Sequence, residues 1–165
     1  MNFLYRAVSL DDEEQLKNLS LIAYGQYKEE MTEENWQLLR ANLTSEDLFP
    51  SLLKKAHGFV CERNQKIIGM AFLVPHGNPT EAFDEDWSYL RMVGVDPEFS
   101  GQGIGKQLTK RCLDFASHSG EKIVALHTSE AMVAARHIYE SFGFSVVKEL
   151  PPHYGMKYWL YKLEL

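Results

Sequence analysis

The 165-residue chain has little cysteine, no long apolar run and no excess of basic residues, and each absence excludes a class of protein. Cys61 and Cys112 are too few for a disulfide framework, and we predict two reduced thiols, one in a strand and one on a helix. No apolar stretch approaches the length that spans a bilayer, and residues 1–6 do not resemble a secretory signal. We therefore predict a cytoplasmic protein with no membrane partner.

The charge of the chain argues against a nucleic-acid partner. Acidic residues outnumber basic ones by 23 to 17, giving a net charge of −6, whereas nucleic-acid-binding proteins usually present a basic face. The six histidines are scattered without the Cys/His spacing of a metal site, so we predict no metal. The length and an apolar content of 45% suit one domain with a sizeable core.

The most informative segment is residues 90–106, where an apolar strand leads through a Pro turn into three alternate glycines and a helix start. Gly101, Gly103 and Gly105 let backbone N–H groups turn inward and let a bulky anion approach without obstruction by Cβ atoms. The N-terminus of the following helix adds unpaired N–H groups and the positive end of its dipole. The pattern favours a diphosphate site, the alternative being a tight strand-to-helix connection.

Two familiar phosphate motifs do not match this segment. Lys106 precedes Gln107 rather than the Ser or Thr of a Walker loop, and the glycine spacing is G-x-G-x-G rather than the dinucleotide-binding G-x-G-x-x-G. Lys106, Lys110 and Arg111 cluster on the helix, where they either meet phosphate or form a solvated face.

Periodicity and turn residues predict a mixed α/β sheet with the element order β-α-α-β-β-β-α-β-α-β-β. A third short helix is predicted at 45–56, interrupted early by Pro50, and Thr128 and Ser129 are predicted to cap the last helix. Gly143 is expected to end that helix in a left-handed conformation. The last two strands, 144–150 and 156–163, are expected to be joined by a turn at 151–155.

The element order and the glycine loop after the fourth strand resemble the GCN5-related N-acetyltransferase (GNAT) superfamily. A second motif at 135–144, Ala-Arg-His-Ile-Tyr-Glu-Ser-Phe-Gly-Phe, is similar to that family's A-x-x-L-Y-E-x-x-G-F segment. The resemblance implies one domain over 1–165 with a mostly antiparallel sheet, splayed central strands and flanking helices, the acyl-CoA N-acyltransferase type. It also implies transfer of acetyl from acetyl-CoA to a primary amine of a small molecule or peptide by direct attack. Members are often dimers, so a homodimer is compatible with it.

The resemblance also assigns roles to particular residues. Tyr139 would protonate the departing thiolate or hydrogen-bond to it. The pantetheine arm would pair like an added strand with Val93 and Val95, where Gly94 permits a bulge or a close approach. The diphosphate would lie against the amides of Gly101, Gln102, Gly103, Ile104, Gly105 and Lys106.

Several positions depart from the family pattern. Ser100 replaces a usual Arg or Gln, Met132 replaces a frequent Asn, and the Glu that many members carry near Tyr89 is absent. The general base therefore stays open: His127, at the end of the predicted fifth strand 122–127 and near the expected thioester, is the first candidate, since imidazole titrates near neutral pH. Glu62, Tyr89 and Asp86 are weaker candidates, and His137, two residues before Tyr139, is expected to face elsewhere.

The acceptor site is predicted between the first two helices, the loop 75–86 and the turn 151–155. The acidic side chains of that loop, at 81, 84, 85 and 86, either attract a cationic amine or are solvated. Polyamine, aminoglycoside, amino acid and peptide N-terminus all remain open as acceptors. The departures at residues 100 and 132 also allow a second function, a non-catalytic sensor of acetyl-CoA or CoA, and a nucleotide-binding α/β protein is a third.

Overall fold

The structure is a computed structural model that describes residues 2–165, and a seven-stranded sheet in the order β1-β2-β3-β4-β5-β7-β6 organises it. The strands are β1 Leu4–Ala7, β2 His57–Arg63, β3 Lys66–Val74, β4 Ser88–Val95, β5 Ile123–Ser129, β6 Ser145–His153 and β7 Met156–Glu164. The helices are α1 Glu13–Gly25, α2 Glu33–Leu43, α3 Leu48–Lys55, α4 Ile104–His118 and α5 Val133–Ser141. The neighbouring strands are antiparallel except β4 and β5, which confirms the predicted mixed, mostly antiparallel sheet.

Helices cover both faces of the sheet, because its strands carry apolar side chains on both sides. One buried cluster joins α1, α2 and α3 to the sheet and includes Leu16 and Phe49. The other joins α4 and α5 to the opposite face and includes Leu108 and Tyr139. β3 is buried over eight of its nine residues, as expected for a strand covered on both sides.

The central strands β4 and β5 separate soon after they meet. Their parallel pairing covers only Ser88 with Val124 and Tyr89 with Ala125, after which the chains diverge. On its other edge β4 stays paired with β3 through a β-bulge at Met92, which adopts a left-handed conformation with φ of 53°. This splayed arrangement, implied by the family resemblance, leaves the β5-facing edge of β4 without a strand partner from residue 90 onward.

Three local predictions are wrong, each because position in the fold overrides a sequence signal. Pro50 does not interrupt α3, since it lies in the first turn, where its missing N–H needs no acceptor. Thr128 and Ser129 do not cap α5 but extend β5 by pairing with β7. β6 continues through the first three residues of the predicted turn 151–155, because it is an edge strand and its two prolines are tolerated there, so the turn itself is only Tyr154 and Gly155.

Other local predictions are confirmed. Gly143 follows α5 with φ of 100°, as a left-handed cap does. Cys61 lies in β2 and Cys112 in α4, and both are free and fully buried. Between residues 2 and 165, the structure contains no helix with both the length and the apolarity to traverse a bilayer.

Candidate active site

A cavity of about 710 Å³ opens where β4 and β5 separate. Its walls come from both strands, from the C-terminal parts of α1 and α2, from the glycine loop with the start of α4, from α5, and from the β6–β7 turn. The predicted site residues all line it except Gln102, which is exposed and is not part of the wall. The topology thus brings the glycine loop, the unpaired edge of β4, Tyr139 and His127 to one place.

The glycine loop forms one end of this cavity. Gly101 and Gly103 have φ of 77° and 80°, a left-handed backbone that glycine adopts without strain, and a Cβ at either position would meet nothing within 4 Å. Glycine is therefore required by the backbone conformation rather than by lack of space.

The amides of this loop and of the first helical turn have no internal partners. Ser100 donates its N–H to Pro97 and Gln107 donates to Gly103, but the six amides between them, 101–106, donate to no acceptor within residues 2–165. These donors lie at the positive end of the 15-residue helix α4, beside the Lys106 side chain. Such an arrangement suits a multiply charged anion.

The β4 residues assigned to the cofactor lie along the unpaired strand edge. Val93, Gly94 and Val95 line the cavity and follow the bulge at Met92. The bulge in β4 lies at Met92 and not at Gly94. A Cβ at Gly94 would lie 3.1 Å from the Cβ of Ala23, so the missing side chain lets α1 pack against β4, a role that the sequence pattern did not predict.

Tyr139 reaches the cavity from α5. Its ring packs edge-on against Phe144, with centroids 5.8 Å apart, and only 5% of the residue is exposed. Its hydroxyl makes no hydrogen bond within residues 2–165. Burial, and secondarily the neighbouring Tyr24, Tyr27 and Cys112, raise its pKa well above the ordinary tyrosine value. The phenol therefore stays protonated near neutral pH and is a hydrogen-bond donor with no acceptor in the described chain.

His127 lies on β5 between two aromatic rings. The Phe83 centroid is 5.7 Å and the Tyr158 centroid 5.6 Å from the imidazole, whose accessible surface faces the cavity. Although the residue as a whole is exposed, desolvation by the groups around its ring lowers the pKa of His127 to about 4, and the charges of Arg91 and His153 contribute. His127 is consequently neutral at physiological pH, the form that accepts a proton.

The other histidine and base candidates are placed differently from expectation. Glu62 is held by Arg6, with Oε2 2.9 Å from Nε, and Tyr89 donates its hydroxyl to the Asn78 carbonyl at 2.9 Å. Neither these two nor the exposed Asp86 lines the cavity. The expectation that His137 faces elsewhere is wrong, because it lies in the cavity wall on α5.

Two of the three departures from the family pattern, Ser100 and Met132, also lie in the wall. Ser100 is exposed at the start of the glycine loop, and Met132 is the residue before α5. The sulfur of Met132 accepts a hydrogen bond from Thr128 at 3.5 Å, so this position offers no amide group to a ligand.

The half of the cavity away from the glycine loop differs from prediction in one respect. Helices α1 and α2 and the β6–β7 turn form its walls as expected, with Asn42 Nδ2 donating to the Tyr154 hydroxyl at 2.6 Å. The loop 75–86, in contrast, contributes no wall residue, and its four acidic residues are exposed outside the cavity. An acidic loop therefore does not line the acceptor side.

Sequence reasoning missed Arg91, Tyr24, Tyr27, Asn42 and Tyr158, all of which line the cavity. For Arg91 a signal was present, since it is the only charged residue in the strand Ser88–Val95. The tyrosines carry no such signal, because amphipathic residues on helices and strands usually pack in the core. Among residues 2–165, no group of three or more His, Cys, Asp or Glu side chains is placed to hold a metal ion.

Solved structures share this fold over nearly the whole chain. The PaiA N-acetyltransferase of Thermoplasma acidophilum in complex with coenzyme A superposes with a TM-score of 0.80 at 16% identity and 100% coverage of both chains. YncA of Salmonella typhimurium, a putative acetyltransferase solved with acetyl-CoA, gives 0.71 at 17% identity, covering 99% of this chain and 94% of the other. At these identities the likeness establishes the fold alone.

Curated relatives match in sequence over shorter stretches. Human N-acetyltransferase 8B is 36% identical over 86 residues, which are 52% of this chain and 37% of that protein. N-acetylaspartate synthetase of Danio rerio is 39% identical over 66 residues, or 40% of this chain and 23% of that protein. The mycothiol acetyltransferase of Gordonia bronchialis is 29% identical over 124 residues, 66% of this chain and 39% of that enzyme. The chain thus spans well under half the length of these relatives.

The family assignment rests on a longer match than any of these relatives provides. Residues 15–144 match the family described as Acetyltransferase (GNAT), and this range contains both the glycine loop and the Tyr139 motif. The resemblance inferred from those two motifs is confirmed, and the chain belongs to the Acetyltransferase (GNAT) family.

Proposed function

We propose that this chain is an N-acetyltransferase that takes the acetyl group of acetyl-CoA and transfers it to a primary amine of a small molecule or peptide. The observation that carries the proposal is the row of unpaired amides, 101–106, at one end of a cavity whose walls also hold Tyr139 and His127. Membership of the GNAT family, and the coenzyme A and acetyl-CoA complexes of structural neighbours, support this donor.

The residues present fit the donor along its length. The loop amides and Lys106 would bind the diphosphate. The free edge of β4 at Val93–Val95 would hydrogen-bond the amides of the pantetheine arm as an added strand does. Acetyl-CoA, the donor substrate, supplies a thioester whose carbonyl carbon receives the amine.

The catalytic roles follow from protonation states. His127, neutral because of its lowered pKa, would accept the proton that the attacking amine must lose, directly or through water. Tyr139, protonated because of its raised pKa, would donate a hydrogen bond or its proton to the departing thiolate. The two groups come from different elements, α5 and β5, and both line the cavity that opens where β4 and β5 separate.

Calorimetric titration with acetyl-CoA, CoA, ADP and NAD, followed by thiol release with a panel of amines, tests the proposal. Cys61 and Cys112 are fully buried, so a thiol reagent in native conditions reports released CoA. We expect acetyl-CoA to bind and thiol release to require an amine. Absence of acetyl-CoA binding would refute the proposal, and equal binding of ADP or NAD would favour the nucleotide-binding alternative. Binding without turnover on any amine would identify a sensor, the function that Ser100 and Met132 leave open.

A further inference from the structure

The half of the cavity away from the glycine loop, where the acceptor would bind, carries a positive charge and no carboxylate. No Asp or Glu is among the cavity-lining residues, whereas two permanent cations, Lys106 and Arg91, are. Lys106 lies at the glycine loop, where the proposed donor diphosphate accounts for it. Arg91 lies on β4, and the proposed donor site does not account for it.

Arg91 has no partner among the residues that the structure describes. It is half-buried, yet between residues 2 and 165 its guanidinium makes no hydrogen bond and no ion pair. Arg6, in comparison, binds both Asp12 and Glu62. Arg91 lines the cavity, and its nitrogens are not among the buried side-chain atoms that lack a hydrogen-bond partner. Its donors are therefore accessible to a ligand in the cavity. A half-buried, uncompensated cation in a cavity favours an anionic ligand.

The position of Arg91 places this charge beside the proposed chemistry. It comes two residues after Tyr89, the last β4 residue paired with β5, and therefore at the start of the gap between the strands. His127 comes two residues after Ala125, the β5 partner of Tyr89, so Arg91 and His127 occupy corresponding positions on the two diverging strands, and both line the cavity. An anion on Arg91 would thus be held close to the proposed general base.

Building on the acetyl transfer proposed above, we propose that the acceptor is an amine that carries a carboxylate near its amino group, as an amino acid does, and that Arg91 binds this carboxylate. The planar guanidinium donates two parallel hydrogen bonds to a carboxylate, which fixes its orientation. A carboxylate held on Arg91 would keep an amino group two bonds from its carboxyl carbon within the part of the cavity that His127 also lines.

The same charge distribution disfavours the other acceptor classes. A polyamine or an aminoglycoside is a polycation, and it would meet Arg91 with no carboxylate in the wall to offset the repulsion. A peptide N-terminus has an amide where an amino acid has its carboxylate, so Arg91 would stay unpaired. Leu39, Leu43 and Tyr158 supply apolar wall for the rest of the acceptor.

The experiment compares the amino acids other than cysteine and proline with the matching amino-acid amides, and adds spermidine, an aminoglycoside and a short peptide. Cysteine is left out because its own thiol reacts with the reagent, and proline because it is a secondary amine. Thiol release gives kcat/KM for each compound with the wild-type chain, Arg91→Gln and Arg91→Lys, expressed per unprotonated amine because amino-acid amides lose the ammonium proton at lower pH than amino acids do. The matched control is Arg111→Gln, which removes the same charge from α4, where Arg111 stacks over Tyr5 outside the cavity. Acetyl-CoA affinity is measured on every variant.

We expect the wild type to favour at least one amino acid over its amide by roughly tenfold to a hundredfold, the size of a charged hydrogen-bonded contact. Arg91→Gln should remove that preference by raising KM, Arg91→Lys should restore part of it, and acetyl-CoA affinity should not change. A preference for amides, spermidine, the aminoglycoside or the peptide, or an equal loss on acids and amides, would overturn the inference while leaving the proposed function intact.

A binding measurement tests the inference apart from turnover. N-acetylphenylalanine and its amide are titrated into the CoA-saturated protein, since a product carries the same carboxylate as its acceptor. Tighter binding of the acid that Arg91→Gln abolishes would support the inference even if no amine is turned over. Equal binding of acid and amide would refute it, whereas absence of acetyl-CoA binding would refute the proposed function first.

Discussion

Arg91 on β4 and His127 on β5 line one cavity where their strands separate, and the charge of Arg91 helps to lower the pKa of His127. The proposed acceptor-binding residue and the proposed base are therefore coupled electrostatically. A carboxylate bound to Arg91 would screen its charge, and the arrival of the acceptor would then make His127 a stronger base.

We expect Arg91→Gln to raise the pKa of His127 from about 4 toward its ordinary value of 6.5 without reaching it. Removing a nearby cation eases protonation, but desolvation is the larger cause of the shift and remains. Titration of the imidazole signals by NMR measures this, with His127→Gln identifying the signal. Arg111→Gln should leave the signal in place, and an unchanged pKa in Arg91→Gln would show that the two residues are not coupled.

The pH profile of kcat/KM should show no change of slope near pH 6.5. Because the pKa of His127 lies at about 4, the imidazole is already neutral across the range from about pH 5.5 to 8.5, and kcat/KM should follow deprotonation of the acceptor amine. We expect log kcat/KM to rise with unit slope over this range and His127→Gln to lower it by about tenfold or more at every pH. A break near pH 6.5 that disappears in His127→Gln would mean that the imidazole titrates at its ordinary pKa.

Replacing Tyr139 with Phe should lower turnover by about tenfold while acetyl-CoA affinity stays the same. The loss is below the usual range for a general acid, since a thiolate already leaves well without full proton transfer. The matched control is Tyr89→Phe, which removes a buried hydroxyl bonded to Asn78 outside the cavity. That variant should lose stability rather than turnover, and unchanged kcat in Tyr139→Phe would remove this residue from the mechanism.

Gly103→Ala should weaken acetyl-CoA binding by about tenfold, because a side chain at φ of 80° is strained by about 1–2 kcal/mol and turns the loop amides away from a common target. Gly120→Ala is a close control: φ is 86°, a Cβ there also meets nothing within 4 Å, and the residue lies beyond the other end of α4. Both variants should lose similar stability in denaturant unfolding. Equal acetyl-CoA affinity in the two would mean that the loop amides do not bind the donor.

Local signals predicted most of the fold. The left-handed conformation of Gly143 was expected from its place after the last helix, and Gly101 and Gly103 were expected to let the loop amides turn inward, which their φ of 77° and 80° is consistent with. The start of α4 and the free amides before it follow from the same segment, since every helix leaves its first N–H groups without internal acceptors. These features depend on neighbours in sequence and were therefore accessible from it.

Two of the three failed local predictions were decided by strand pairing. Thr128 and Ser129 have good capping side chains, but pairing with the distant strand β7 holds them in β5. Pro151 and Pro152 suggested a turn, yet the edge strand β6 accepts them because their missing N–H groups face no partner, and β6 continues to pair with β7 in a hairpin. The third, at Pro50, failed because the first turn of α3 tolerates proline.

The sequence alone therefore determined the family, the glycine loop with its free amides, and Tyr139 and His127 as candidates for the chemistry. Only the tertiary structure decided that β4 and β5 part after Tyr89, that the acidic loop lies outside the cavity, and that Arg91 stands inside it without a counter-charge. The separation of the strands depends on their register, and the other two facts depend on which side chains line the same cavity. Both arise from contacts between distant segments, and no local pattern encodes them.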